Sequence, residues 1–308
     1  MLWTEDERQD RTEPGNFAVV GGDRIALSKH EAAGNDFLVA VGPAPAGWLG
    51  PAAARWLCDR RLGVGADGLL GCGTTPDPHA TLTMVLYNAD GSRAEMSGNG
   101  IRCLVQAAVL SGIVGPGSVR VATDAGLRTV AFSAGPDGAA AGAAAVEMGS
   151  VRLHREVESP LEGSRAYLVD VGNPHLVVMG DMALEEVDLA AVHRDATGRL
   201  GGPVNVEVVR PTGPDALGLR VFERGAGETA ACGTGSCAAA AVASSLGLVG
   251  DVVSVANPGG VLEVRLPPGG GPVVLSGPVR HVADVLVDRA RLGGPDAGSR
   301  PDRASGAR

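Results

Sequence analysis

AEMSGNGIRCLVQAAV (residues 94–109) and AACGTGSCAAAAVASS (residues 230–245) follow one pattern: a Gly-x-Gly turn, then a long run of small apolar residues. Ser97 stands before the first turn and Cys232 before the second. A Gly-x-Gly turn leading straight into a helix leaves unpaired N–H groups at the helix start. The positive end of the macrodipole lies behind them, so each stretch is a candidate anion site. The surroundings repeat as well. Gly34-Asn35-Asp36-Phe37 is echoed by Gly172-Asn173-Pro174-His175, and 62 positions separate Asn35 from Ser97 against 59 from Asn173 to Cys232. Two motifs in the same order at nearly the same spacing point to a duplicated domain.

Pseudo-symmetric domains would turn both helix starts toward one interdomain cleft, where a single carboxylate sits between them. If it belongs to an amino acid, the arrangement stabilises the charge formed when the α-proton leaves, as an oxyanion hole does. Ser97 and Cys232 would then flank the α-carbon from opposite sides, as inversion of a stereocentre requires. A helix start lowers a thiol's pKa, so Cys232 is expected to serve near neutrality. Ser97 is a far weaker acid and also a favoured N-cap, a purely structural use.

The totals bound the remaining choices. A chain of 308 residues is long for one core and about right for two domains. A net charge of −9 without a basic cluster argues against nucleic acid. The uncharged run 230–250 has membrane-span length, but Ala, Gly, Ser and Thr dominate it, so it reads as a buried helix and no membrane partner is expected. The start of the chain is acidic and shows no secretory signal, and five cysteines form no C-x-x-C pair. A cytoplasmic protein with free thiols is expected. Scattered histidines give no metal pattern. Gly63 to Gly68 match G-x-G-x-x-G, but after a helical stretch and before a strand, the reverse of the dinucleotide context. Lys29 is the only lysine, and its local sequence does not suggest the burial a Schiff base needs. No cofactor is expected.

Alternation predicts strands at 36–41, 81–87, 118–123 and 144–149, with a helix at 51–61 begun by Pro51. A second series of strands falls at 166–171, 175–179, 204–209, 219–223, 251–255, 261–266 and 272–277. The expected division is a disordered arm over 1–23, a first domain over 24–148 completed by a strand returning at about 278–292, a second domain over 149–277, and a disordered tail over 293–308.

Taken together, GNDF (34–37), RRLGVGADGLL (60–70), YNADGSRAEMSGNGIRC (87–103), GNPH (172–175), Asn205 in PVNVEVV and ERGAGETAACGTGS (223–236) resemble the diaminopimelate epimerase family, from about residue 27 to 288. The resemblance implies a fold of α+β (α/β) type: two pseudo-symmetric domains, each a curled, mostly antiparallel sheet around a central helix, with the site between them. It implies a cofactor-independent isomerase interconverting L,L- and meso-diaminopimelate for lysine and peptidoglycan synthesis, a small-molecule amino-acid substrate and a homodimer. It assigns Cys232 as one acid/base and puts Ser97 where the family's other catalytic Cys stands. Gly98, Asn99, Gly233 and Thr234 would hold the reacting carboxylate. Asn35, Asn88, Asn173, Asn205 and Arg224 would read the substrate's polar ends, while Glu223 and His175 lie close to the amino group and the thiol. Gly68 stands where many members carry a substrate-side Gln, and Glu31-Ala32 where His-Gly is usual. Related families include serine and threonine variants, some of them dehydratases or enzymes of other amino acids. A same-fold racemase of another amino acid, a one-base lyase and a silent amino-acid-binding protein are therefore the alternatives.

Overall fold

The computed structural model describes residues 19–20, 24–42 and 49–292. Within the expected N-terminal arm, Val19–Val20 form a short strand, β1, antiparallel to β2 (Arg24–Ala32). The rest of that arm and the expected tail lie outside the described residues.

The duplication shows in the strand pairing. In the first half β2 runs antiparallel to β3 (Asn35–Val41), which is parallel to β4 (Gly68–Thr74), and β4 is antiparallel to β5 (Leu82–Asn88). β5 carries the two-residue β6 (Arg93–Ala94) and lies parallel to β7 (Gly117–Thr123). β8 (Gly126–Gly135) and β9 (Gly138–Gly149) follow as a meander. The second half repeats the order. β10 (Arg152–Val157) and β11 (Arg165–Asp170) lead to β12 (Pro174–Met179), parallel to β13 (Asn205–Gly213). β14 (Ala216–Glu223) carries β15 (Gly227–Thr229) and is parallel to β16 (Val252–Asn257), and β17 (Gly260–Arg265) follows. Helices α1 (Pro51–Cys58) and α3 (Leu189–Leu200) make the equivalent first crossovers. Helices α2 (Gly98–Leu110) and α4 (Gly233–Ser245) make the second and run through the middle of their sheets, buried along nearly their whole length.

One strand serves both halves. The sequence reads separate strands at 272–277 and about 278–292, whereas β18 is continuous over Val273–Asp288. It pairs with β9 through Arg280, with β17 only through Ser276 and with β2 only from Arg280. Pro278 falls in the gap between those last two pairings, where its missing N–H costs no ladder bond. The β2 pairing closes the first sheet. Helix α1 ends at Cys58 rather than at the expected 61, because the Asp59 carboxylate accepts from the Arg61 and Leu62 amides, 2.8 Å each, and turns the chain.

His30 on β2 is fully buried. Its Nδ1 donates to Gln106 Oε1 at 2.8 Å, since the Gln106 amide nitrogen already donates to the Ala139 and Ala140 carbonyls. Its Nε2 accepts from the Ser28 hydroxyl at 2.8 Å. This network fits the neutral ring, and burial lowers the pKa from 6.5 to about 4. The unfolded chain takes up the proton first, so the contribution is complete above pH 6.5 and is lost as pH falls toward 4. It amounts to about 3 kcal/mol. Denaturant midpoints measured between pH 7 and 4 should fall for the wild type, with a shallower slope for His30→Phe. Equal slopes would exclude His30 as the source.

Candidate active site

The paired glycine motifs meet. A Cβ placed on Gly233 would lie 3.5 Å from Gly98 Cα and 2.7 Å from Leu275 Cδ2, and one on Gly98 would lie 3.1 Å from the same methyl. Glycine is required here for close approach, since both residues have ordinary negative φ. Each helix is capped alike: Ser97 Oγ accepts from Gly100 N at 3.0 Å, and Cys232 Sγ from Gly235 N at 3.4 Å. The first intrahelical bonds begin at Ile101 and Ser236. The amides of Gly98, Asn99, Gly233 and Thr234 therefore precede both helical ladders, as the anion-site reading requires.

Cys232 is 4% exposed. Its thiol donates to Glu223 Oε2 at 3.2 Å and lies 3.4 Å from Thr234 Oγ1, while Thr229 donates to Glu223 Oε1 at 2.6 Å. The expected acidic thiol is overturned. Burial pushes it well above its ordinary range, and the Glu223 and Glu207 carboxylates add to this. The Thr234 hydroxyl and the Gly235 amide pull the other way with less effect. Burial raises Glu223 as well. The helix start is one influence here among several that oppose it.

The other predicted residues fall into five separate arrangements. His175 Nδ1 donates to Glu207 Oε1 at 2.7 Å with both side chains fully buried, and Nε2 lies 2.9 Å from Asn173 Oδ1. Asn205 Oδ1 accepts from the Arg224 amide at 2.9 Å, and Arg224 is exposed. Asn99 Nδ2 bridges the halves, reaching Ala231 O at 3.1 Å and Asn35 Oδ1 at 3.3 Å. Asn88 turns its amide to Ser92 Oγ, 2.9 Å away. Gly68 packs under the Phe37 ring, where a Cβ would lie 3.0 Å from two ring carbons.

Sequence reasoning missed the supports. Asn35 Nδ2 donates to Asp67 Oδ2 at 2.7 Å, and Arg60 joins Asp67 to Asp36 with bonds of 2.7 and 2.6 Å. Lys29, less exposed than its local sequence suggests, pairs with Asp36 at 2.8 Å and donates to Gly65 O at 2.7 Å. The rejected G-x-G-x-x-G stretch is thus the loop that presents Asp67 to the site. Arg102, fully buried, donates to Asn99 Oδ1 at 2.9 Å and so aims the Asn99 amide at Ala231.

The diaminopimelate epimerase family model matches residues 27–154 and 167–282. Diaminopimelate epimerase of Desulforudis audaxviator (strain MP104C) is 38% identical over 286 residues, 84% of this chain and 98% of that protein. The enzyme of the same name from Synechococcus sp. (strain JA-2-3B'a(2-13)) is 38% identical over 289 residues, 84% of this chain and 96% of its own. Among solved structures, a hydroxyproline epimerase from Agrobacterium vitis superposes with a TM-score of 0.68 at 16% identity, covering 88% of this chain and 94% of that one. A phenazine biosynthesis protein of Bacillus anthracis gives 0.63 at 13% identity, covering 86% and 99%.

Proposed function

Because the chain belongs to the diaminopimelate epimerase family, we propose that it interconverts L,L- and meso-diaminopimelate without a cofactor, using Cys232 and Ser97 on opposite faces of the α-carbon. The observation that carries this reading is the Cys232–Glu223 contact of 3.2 Å at the start of α4, beside the meeting point of Gly98 and Gly233. The substrate carboxylate lies against the amides of Gly98, Asn99, Gly233 and Thr234. The Cys232 proton passes to Glu223, the thiolate removes the α-proton, and the charge spreads into that carboxylate. A proton returned from the Ser97 side completes the inversion, and the reverse direction begins there. Asn35, Asn88, Asn173, Asn205 and Arg224 read the polar ends. The reading treats residues 24–148 with the far part of β18, and residues 149–277, as the two epimerase-like domains. A cytoplasmic, homodimeric enzyme belongs to the same reading.

A specific observation favours a second reading, a one-base enzyme. At the strand positions that hold His175, Asn205 and Glu223 around Cys232, the serine's half carries Phe37, Gly68 and Asn88. Proton NMR of L,L- and meso-diaminopimelate in deuterated water separates the two. Exchange with inversion supports the epimerase, and exchange without inversion supports the one-base enzyme.

Arg224→Ala should weaken binding of diaminopimelate by roughly 10- to 100-fold, the loss of one charge-assisted partner worth about 1.5–3 kcal/mol. Calorimetric titration checks this. An unchanged dissociation constant would move Arg224 out of the site.

A further inference from the structure

The two halves share strand registers, so their side chains can be compared place by place. Phe37 pairs with Gly68 across β3 and β4, and His175 with Asn205 across β12 and β13. Two residues further along, Leu70 stands opposite Val39 and Glu207 opposite Val177. Leu70 and Glu207 therefore occupy the same place in the two sheets, and both are fully buried. A leucine fills that place in the serine's half, so the fold does not call for a carboxylate there. Burying a carboxylate is costly, the more so because Glu207 Oε2 has no hydrogen-bond partner among the described residues.

The surroundings of Glu207 say what it serves. Oε1 accepts the Nδ1 hydrogen of His175. A Cβ on Gly235 would lie 2.5 Å from the same oxygen, so only glycine fits between Glu207 and the first turn of α4. The amide of that glycine donates to Cys232 Sγ. Glu207 and the thiol thus sit on two sides of one residue. The groups facing Cys232 are Glu223 on β14, Glu207 on β13 beside His175 of β12, and the Thr234 hydroxyl and Gly235 amide of α4 itself.

We propose that Glu207 is a positioning residue for the thiol: it fixes the His175 ring through the Nδ1 hydrogen, and its charge behind the first turn of α4 keeps Cys232 as a thiol until a cationic substrate group arrives. An incoming α-ammonium offsets the Glu207 and Glu223 carboxylates, and the thiol then gives its proton to Glu223. This explains why a buried charge is kept on one side only, and it ties proton release to amino acids rather than to acids lacking the amine. The proposal rests on Cys232 being the acid/base group.

The main readout needs no substrate. The rate of carbamidomethylation by iodoacetamide, read at Cys232 by peptide mass spectrometry, is followed from pH 6 to 10.5 in the wild type, Glu207→Gln and Glu207→Asp. The midpoint is obtained from the rising limb, where the rate at a fixed pH climbs about tenfold for each unit by which the midpoint falls. Glu207→Gln should move the midpoint down by about one pH unit or more, because a like charge has been removed. Glu207→Asp should restore it toward the wild type. The acid limb of kcat/KM for diaminopimelate should move in the same direction as the alkylation midpoint. If Glu207→Gln does not fold, Glu207→Leu, which copies Leu70, gives the same readout. A purely structural glutamate would lower stability and leave the midpoint where it was, and that result overturns the proposal. It would leave the epimerase reading intact, since that reading is judged by exchange and inversion in the wild type.

Discussion

Cys232→Ala should abolish α-proton exchange in both diastereomers, a loss of about 10²- to 10⁴-fold or more, the share of a positioned acid/base. The substitution removes the donor to Glu223 Oε2 and the acceptor that caps Gly235 N. Losing a cap of this kind costs about 1 kcal/mol, which a core as extensive as the one around α4 will tolerate. Cys232→Ser separates chemistry from structure. A hydroxyl can still cap the helix and donate to Glu223, as Ser97 caps α2, yet it is a much weaker acid. The serine variant should therefore keep the fold and substrate binding while exchanging about tenfold or more below the wild type, above the alanine variant and in line with the weak hydroxyl acid/base at Ser97. Deuterium incorporation followed by NMR, alongside circular dichroism, reads both quantities. Near-normal turnover by either variant would refute the assignment.

What the sequence made legible was local and repeated. The two Gly-x-Gly starts and the paired Gly-Asn turns name equivalent points in two halves, and the strands between them stand out as short apolar runs, of which β5 alternates cleanly while β3, β4, β12 and β13 are buried on both faces. Helix α3 went unread because its buried face is narrow, only Leu189, Val192 and Ala196 in an otherwise polar stretch. Its Asp188 cap and the left-handed Gly201 were signals that could have found it. Strand β10 is almost wholly exposed and shows no alternation at all. The thiol's acidity failed for a different reason. A helix start is visible in the sequence, but the carboxylates that outweigh it come from β13 and β14, and burial comes from the whole fold. Glu207 was hidden in the same way: alternation in VNVEVV puts it with Asn205 on the polar face, yet both faces of this part of β13 are buried, and its partner His175 lies 32 residues away on the neighbouring strand. Asp67, Arg60 and Lys29 likewise gain meaning only once β3 and the loop before β4 are side by side.

Ser97→Cys should raise the rate of epimerisation, by about tenfold or more, and make the enzyme sensitive to oxidation. The fold accepts the change, because a thiol already performs the capping role at the equivalent position: Cys232 takes the Gly235 amide as Ser97 takes that of Gly100. A thiol is a better proton carrier than a hydroxyl at neutral pH, since Brønsted behaviour penalises a group whose pKa lies far from the working pH. It would also face Cys232 across the point where Gly98 and Gly233 touch. Two thiols so placed can join when oxidised, provided the Cα atoms come within about 4.4–6.8 Å, and the bond would block both acid/base groups at once. The wild type cannot form it, so its activity under mild oxidation should persist except where Cys232 itself is converted to the sulfenic acid. The measurement is turnover of L,L-diaminopimelate by the wild type and Ser97→Cys, each with and without a thiol reductant after brief oxidation. A faster variant that oxidation silences and reductant restores places residue 97 opposite Cys232. A variant no faster than the wild type, and equally indifferent to reductant, means that Ser97 only caps its helix. Inversion through two faces would then have to be abandoned for this chain in favour of the one-base reading.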